Sequence, residues 1–153
     1  LRVALRPPAG ADARRWGLYL RRPGRSSWAW VGQEADSAGI GGTTRGLGLF
    51  ELREDRVAPR VVVTAPAAGR PVAGAHPALA LTVLDDLAGV TWRTIDVTVD
   101  GVPQIVVYDP ESDTVSGRSR RALAAGEHTL RVVARDRVGN TTTVTRSFRV
   151  AAG

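Results

Sequence analysis

The residues able to do chemistry are few. The 153-residue chain holds two histidines and no cysteine, so a thiol nucleophile, a disulfide framework and a cysteine-ligated metal are all excluded. His128 stands just after Gly126, at the start of an apolar-alternating run. A catalytic base needs a nucleophile or a metal partner within hydrogen-bond reach, and no motif supplies one, so His128 is read as a structural residue that bonds the backbone of its hairpin. His76, which precedes Pro77, is read as a loop residue. Gly39-Ile40-Gly41-Gly42 is too short for a phosphate-cradling loop and lacks the lysine, and no Gly-x-Ser-x-Gly elbow is present. No catalytic residue is assigned, and the chain is read as not an enzyme.

Two residue sets remain. Asp85, Asp86, Asp109, Asp113 and Asp136 all fall between apolar runs, where loops gather carboxylates and where hard oxygen ligands suit Ca²⁺. An Asp in a turn also hydrogen-bonds backbone N–H groups two residues on, and Asn140 after Gly139 suits a left-handed turn position. Backbone capping is therefore the default, and the alternative is a calcium site with Asp86 and Asp136 as ligands; no D-x-D-x-D-G loop with a closing Glu is present. The second set is aromatic. Trp16, Tyr19, Trp28 and Trp30 crowd the first half, and Trp28 and Trp30 share parity, so they lie on one face of their strand. That face is either core or a platform for sugar rings or peptides. Trp92 is assigned to a packed sandwich edge.

The elements that hold these residues read as strands. Apolar residues make up 43% of the chain, and 17 Gly and 9 Pro sit between short apolar runs, which is the punctuation of many short strands. No run of eighteen apolar residues occurs, so no membrane-spanning helix is expected. All 21 basic residues are Arg, and Asn140 is the single asparagine, a bias of high-GC coding. The net charge of +6 is spread along both halves and interleaved with Asp and Glu, without the clustered basic stripe and stacked aromatics of a nucleic-acid surface. It is read as a solvated face. The start at Leu1, without a leader, reads as a segment of a longer protein and does not argue against export.

A boundary falls near Asp55–Pro59. Residues 1–57 carry four apolar runs, at Leu1–Leu5, Trp16–Leu20, Trp28–Val31 and Leu47–Leu52, with Ala38–Gly42 read as a loose loop; the expectation is the C-terminal part of a sandwich. In residues 58–153, Leu79, Leu81 and Val83 alternate inward, as do Ile95, Val97 and Val99. Asp100-Gly101 is a two-residue hairpin signal, with Ile105–Tyr108 expected to return as partner. Runs at 129–135 and 141–150 complete about seven strands, as an antiparallel immunoglobulin-like β-sandwich requires.

The series Asp86-x-x-Gly89-Val90, Ile95-x-Val97-x-Val99-Asp100-Gly101, Tyr108-Asp109, Leu123-Ala124-Ala125-Gly126-Glu127-His128-Thr129-Leu130 and Ala134-Arg135-Asp136-Arg137-Val138-Gly139-Asn140 resembles bacterial immunoglobulin-like modules. The resemblance covers about residues 59–150. It implies an all-β accessory domain of a secreted or cell-envelope bacterial protein. Trp28–Gly32 and Gly46–Asp55, running into Ala58-Pro59, are similar to the module preceding such a sandwich in C-terminal regions of exported proteins, M23-type zinc peptidases of peptidoglycan among them. Those enzymes hold zinc with a His-x-His pair, a further His and an Asp, which this chain's two distant histidines cannot supply.

Three functions follow as expectations. The first is a spacer or accessory module that contacts neighbouring domains of its own polypeptide, cell-wall glycan or protein. The second is the non-catalytic end of an M23-type peptidoglycan hydrolase, and the third is carbohydrate binding through Trp28 and Trp30. No cofactor is assigned beyond the calcium alternative.

Overall fold

Breakers cut the first half of the chain into short extended segments. The computed structural model describes residues 1–152. There, β1 (Arg2–Leu5), β2 (Trp16–Arg21), β3 (Ala29–Gly32), β4 (Glu34–Asp36), β5 (Gly39–Thr43) and β6 (Leu49–Glu54) form two three-stranded antiparallel sheets, ordered β1-β5-β4 and β3-β2-β6. Gly17, Leu18, Tyr19 and Leu20 of β2 are buried in succession, with Ile40 of β5 beside them in the small core. A strand buried on consecutive residues is covered on both faces.

Four strands were expected in this half and six are present. The Ala38–Gly42 segment, expected as a loop, contains most of β5, the central strand of its sheet. Its glycines are there for close approach: a Cβ on Gly41 would lie 2.3 Å from the Val3 carbonyl oxygen, and one on Gly42 2.8 Å from that of Val31. Glycine disfavours strands in general but is the residue that lets two backbones meet.

The second half comprises β7 (Arg60–Ala65), β8 (Ala78–Leu84), β9 (Ile95–Val99), β10 (Val102–Pro103), β11 (Val106–Asp109), β12 (Thr114–Arg118), β13 (Gly126–Arg135) and β14 (Thr141–Val150). They form two four-stranded antiparallel sheets, β10-β9-β13-β14 and β11-β12-β8-β7. Inward residues of both fill one core: Leu79, Leu81 and Val83 from β8 meet Val97, Val99, Leu130 and Val132 from β9 and β13. The period-2 pattern of these strands is what selects the buried face. The fold is thus an all-β sandwich preceded by a smaller pair of sheets, and no sheet mixes β1–β6 with β7–β14.

Asp100-Gly101 does close a hairpin. Both residues have positive φ, 48° and 77°, and Val99 faces Val102, the geometry of a type I′ turn. The returning strand is only β10, however, and not Ile105–Tyr108. Gln104 N–H still donates to the Val97 carbonyl at 2.9 Å, and the chain then crosses to the other sheet, where Val106–Asp109 pairs with β12. Ile105 and Val107 then point to solvent while Val106 and Tyr108 pack on the core. Trp92 also departs from expectation: it is 67% exposed, with the Arg93 guanidinium 4.9 Å from its ring centre.

Candidate functional site

Two turns at one end of the second sandwich, and the segment that enters it, converge. Asp85 follows β8, Asp136 follows β13, and Asp55 follows β6. Each carboxylate first serves its own local backbone. Asp85 Oδ1 accepts from the N–H groups of Leu87 (3.2 Å) and Gly89 (2.5 Å). Asp136 Oδ1 accepts from Val138 and Asn140, both at 2.9 Å, and its Oδ2 from Asn140 Nδ2 at 2.7 Å. Asp55 accepts from Val57 N–H at 3.0 Å and, across 33 residues, from Ala88 N–H at 2.9 Å. Capping, the default expectation for turn aspartates, describes all three.

The caps also bring the carboxylates together. One oxygen from each of Asp55, Asp85 and Asp136 lies within 4.8 Å of the others. Asp55 and Asp136 are buried, each 3% exposed, and among the described residues none of the three is in an ion pair. Two like charges at this spacing repel by about 3 kcal/mol at an effective dielectric of about 20. The donors named above offset this, since hydrogen bonds to a charged group contribute about 1.5–3 kcal/mol each. Burial raises the pKa of Asp85, and the charges of Asp55 and Asp136 push the same way against the Gly89 and Leu87 N–H groups.

Of the two aspartates named from the sequence as calcium ligands, Asp136 is in this cluster. Asp86 is exposed and stands with Asp85 on the wall of a cavity of about 280 Å³ that Glu54, Asp55, Arg56, Val57 and Leu87 also line. Asp85 and Asp55 take part in its place. Asp109 and Asp113 are elsewhere: Asp109 accepts from Glu111 N–H and Ser112 Oγ, and Asp113 from the Tyr108 hydroxyl.

Behind the cluster stands Tyr19 of β2. It is fully buried, and its hydroxyl has no hydrogen-bond partner. Burial raises its pKa strongly, and the charges of Asp55, Asp85 and Asp136 raise it further while Arg53 opposes them. Trp30 meets Tyr19 edge to face, ring centres 5.4 Å apart at 86°, and the Arg137 guanidinium sits 5.9 Å from the Trp30 ring centre. Arg137 in turn donates to the Ala88 carbonyl at 2.6 Å.

The same region ties the two halves of the molecule. Asn140 Nδ2 donates to the Asp55 carbonyl at 3.1 Å, and Arg15 Nη1 donates to Asn140 Oδ1 at 3.0 Å. Asparagine suits this place because one amide offers two donors and an acceptor.

Trp28 and Trp30, the proposed sugar platform, are both partly buried. The Trp28 ring lies between the guanidinium groups of Arg21 and Arg53, each 5.1 Å from its centre, a cation–π arrangement. Trp30 is turned to Tyr19 and Arg137. His128 bonds the Ala124 carbonyl just before its strand through Nε2 at 2.9 Å, and through Nδ1 it also meets a side chain that the sequence did not announce as its partner, Asp100 Oδ2 in the β9–β10 turn, at 2.7 Å. His76 Nδ1 meets the Ser119 carbonyl at 2.8 Å.

No family model matches the chain, and no curated protein matches it. Among solved structures, one described as the crystal structure of an engineered protein is similar at 22% identity with a TM-score of 0.47, covering 61% of this chain and 20% of that one.

Proposed function

We propose that this chain is a non-catalytic structural module, an immunoglobulin-like sandwich with a docked companion, that acts as a spacer or accessory domain within an exported bacterial protein. The observation that carries the reading is the junction: Asp55, in the segment between the two sets of sheets, is bonded to Ala88 through its carboxylate and to Asn140 through its carbonyl. A spacer must transmit position. A connection pinned by residues 33 and 85 positions away holds position where a free linker would not. The turn-rich residue pattern of bacterial immunoglobulin-like modules supports the exported context.

The chain has no cysteine, so a pair introduced by Arg25→Cys and Glu111→Cys, both exposed positions, takes spin labels at those sites alone. Pulsed dipolar spectroscopy should give one narrow distance distribution. A broad distribution would show halves that tumble separately and would overturn the spacer reading.

A further inference from the structure

We propose that Asp55, Asp85 and Asp136, backed by the Tyr19 hydroxyl, form a Ca²⁺ site that clasps the junction between the two sets of sheets. The first observation is geometric: three carboxylate oxygens within 4.8 Å of one another can share one cation. The second is independent of the acids. Tyr19 comes from the first half of the molecule, is fully buried, and reaches no hydrogen-bond partner, although the three carboxylates are the acids whose charge acts on it most.

A buried hydroxyl left unpaired is costly, and the Tyr19 hydroxyl feels the charge of all three carboxylates without bonding any of them. A bound cation would satisfy both sides: the cation would bridge the carboxylates and a water on it would accept from the phenol. Both recorded bonds to Asp85 end on Oδ1, so its Oδ2 carries no donor, whereas both oxygens of Asp55 and of Asp136 accept hydrogen bonds and would ligate through a remaining lone pair, with water completing the shell. An all-oxygen set on irregular turns suits Ca²⁺, which takes six to eight oxygens in flexible geometry. Mg²⁺ demands a stricter octahedron, and the set has no nitrogen or sulfur for Zn²⁺. Arg53, Arg56 and Arg137 are the nearby cations, and none pairs with any of the three acids: Arg53 pairs with Glu51 and Arg56 with Glu54, and Arg137 is held by the Ala88 carbonyl and Trp30.

The ligands come from the interdomain segment and from two turns of the sandwich, with Tyr19 on the companion. Binding therefore requires the docked arrangement and favours it over any undocked one. The site does not depend on the spacer reading: a narrow junction with no response to Ca²⁺ would remove the cation alone.

The test is calorimetric titration of the intact, EDTA-treated chain with Ca²⁺ and, in parallel, Mg²⁺, together with thermal unfolding in each. One Ca²⁺ per chain should bind, Mg²⁺ should bind at least about tenfold more weakly, and saturating Ca²⁺ should raise Tm by about 5 °C or more. Asp85→Asn keeps an oxygen for Leu87 and Gly89 but removes the charge; it should abolish the Ca²⁺ response and raise Tm in EDTA by relieving repulsion. Tyr19→Phe should weaken Ca²⁺ binding several-fold, and Asp109→Asn, at a turn outside the cluster, should leave it unchanged. No heat and no Tm shift in the unmutated chain at millimolar Ca²⁺ would overturn the proposal whatever the variants do, and so would a Ca²⁺ response that survives Asp85→Asn.

Discussion

Asp100 and His128 show what a turn residue gains from a charged neighbour. Asp100 sits at φ 48° in the hairpin, accepts from Thr129 N–H at 2.8 Å, and pairs with the His128 ring at 2.7 Å. The Asp100 bond raises the His128 pKa, with the Ala124 carbonyl adding to it against a small burial cost. A raised folded-state pKa stabilises fully below the unfolded value of about 6.5 and loses that contribution as pH rises through the folded value. Asp100→Asn suits the same left-handed backbone but removes the charge. NMR titration should show the His128 pKa falling toward 6.5, and the decline in stability above that pH should flatten; an unchanged His128 titration would refute the pairing. At this scale the sequence was partly legible. Asp136-x-x-Gly-Asn reads as a capped turn because its partners are two and four residues on. Asp85 and Asp86 were not separable, since neighbours in a turn have no strand parity to say which side chain points inward. Asp55 read only as a boundary marker, because Ala88 and Asn140 become its partners through folding alone.

Strands were legible wherever one face is apolar. Ile95, Val97 and Val99 alternate with polar residues, and all three are buried; Leu130 and Val132 follow the same rule opposite them. Leu130 is fully buried, so Leu130→Ala should cost about 2–5 kcal/mol in denaturant unfolding, and a loss below about 1 kcal/mol would place it outside the core. What escaped was β5, whose sequence Gly-Ile-Gly-Gly-Thr carries a single large apolar residue. Its pairing with β1 and β4 depends on backbones meeting where side chains are missing, which no hydrophobic period reports. Gly41→Ala puts a methyl group 2.3 Å from the Val3 carbonyl and 2.9 Å from the Ala4 Cβ. Neither neighbour is a flexible side-chain end, so the variant should lose about 1–3 kcal/mol, and a neutral result would mean that β1 and β5 are not held so close. The sheet switch after Pro103 escaped for a related reason: Asp-Gly announces a hairpin without saying how long its second strand will be.

The molecule as a whole depends on its junction. A boundary near residues 55–59 is expected from the change in strand pattern, but a boundary in sequence reads equally as a loose tether or a fixed joint. The difference lies in tertiary partners such as Asn140, the single asparagine of the chain, which reaches the Asp55 carbonyl, the Asp136 carboxylate and the Arg15 guanidinium. Asn140→Ala should cost about 1–3 kcal/mol, the range for leaving buried polar groups unpaired, and should broaden the distance distribution between labels on the two halves; a variant as stable and as narrow as its parent would assign the joint to other contacts. The fixed joint itself is tested most directly by residual dipolar couplings from backbone amides in a weakly aligned sample. A single alignment tensor should fit residues of β1–β6 and β7–β14 together. Two tensors of clearly different magnitude would show halves that reorient independently and would contradict a module that transmits position.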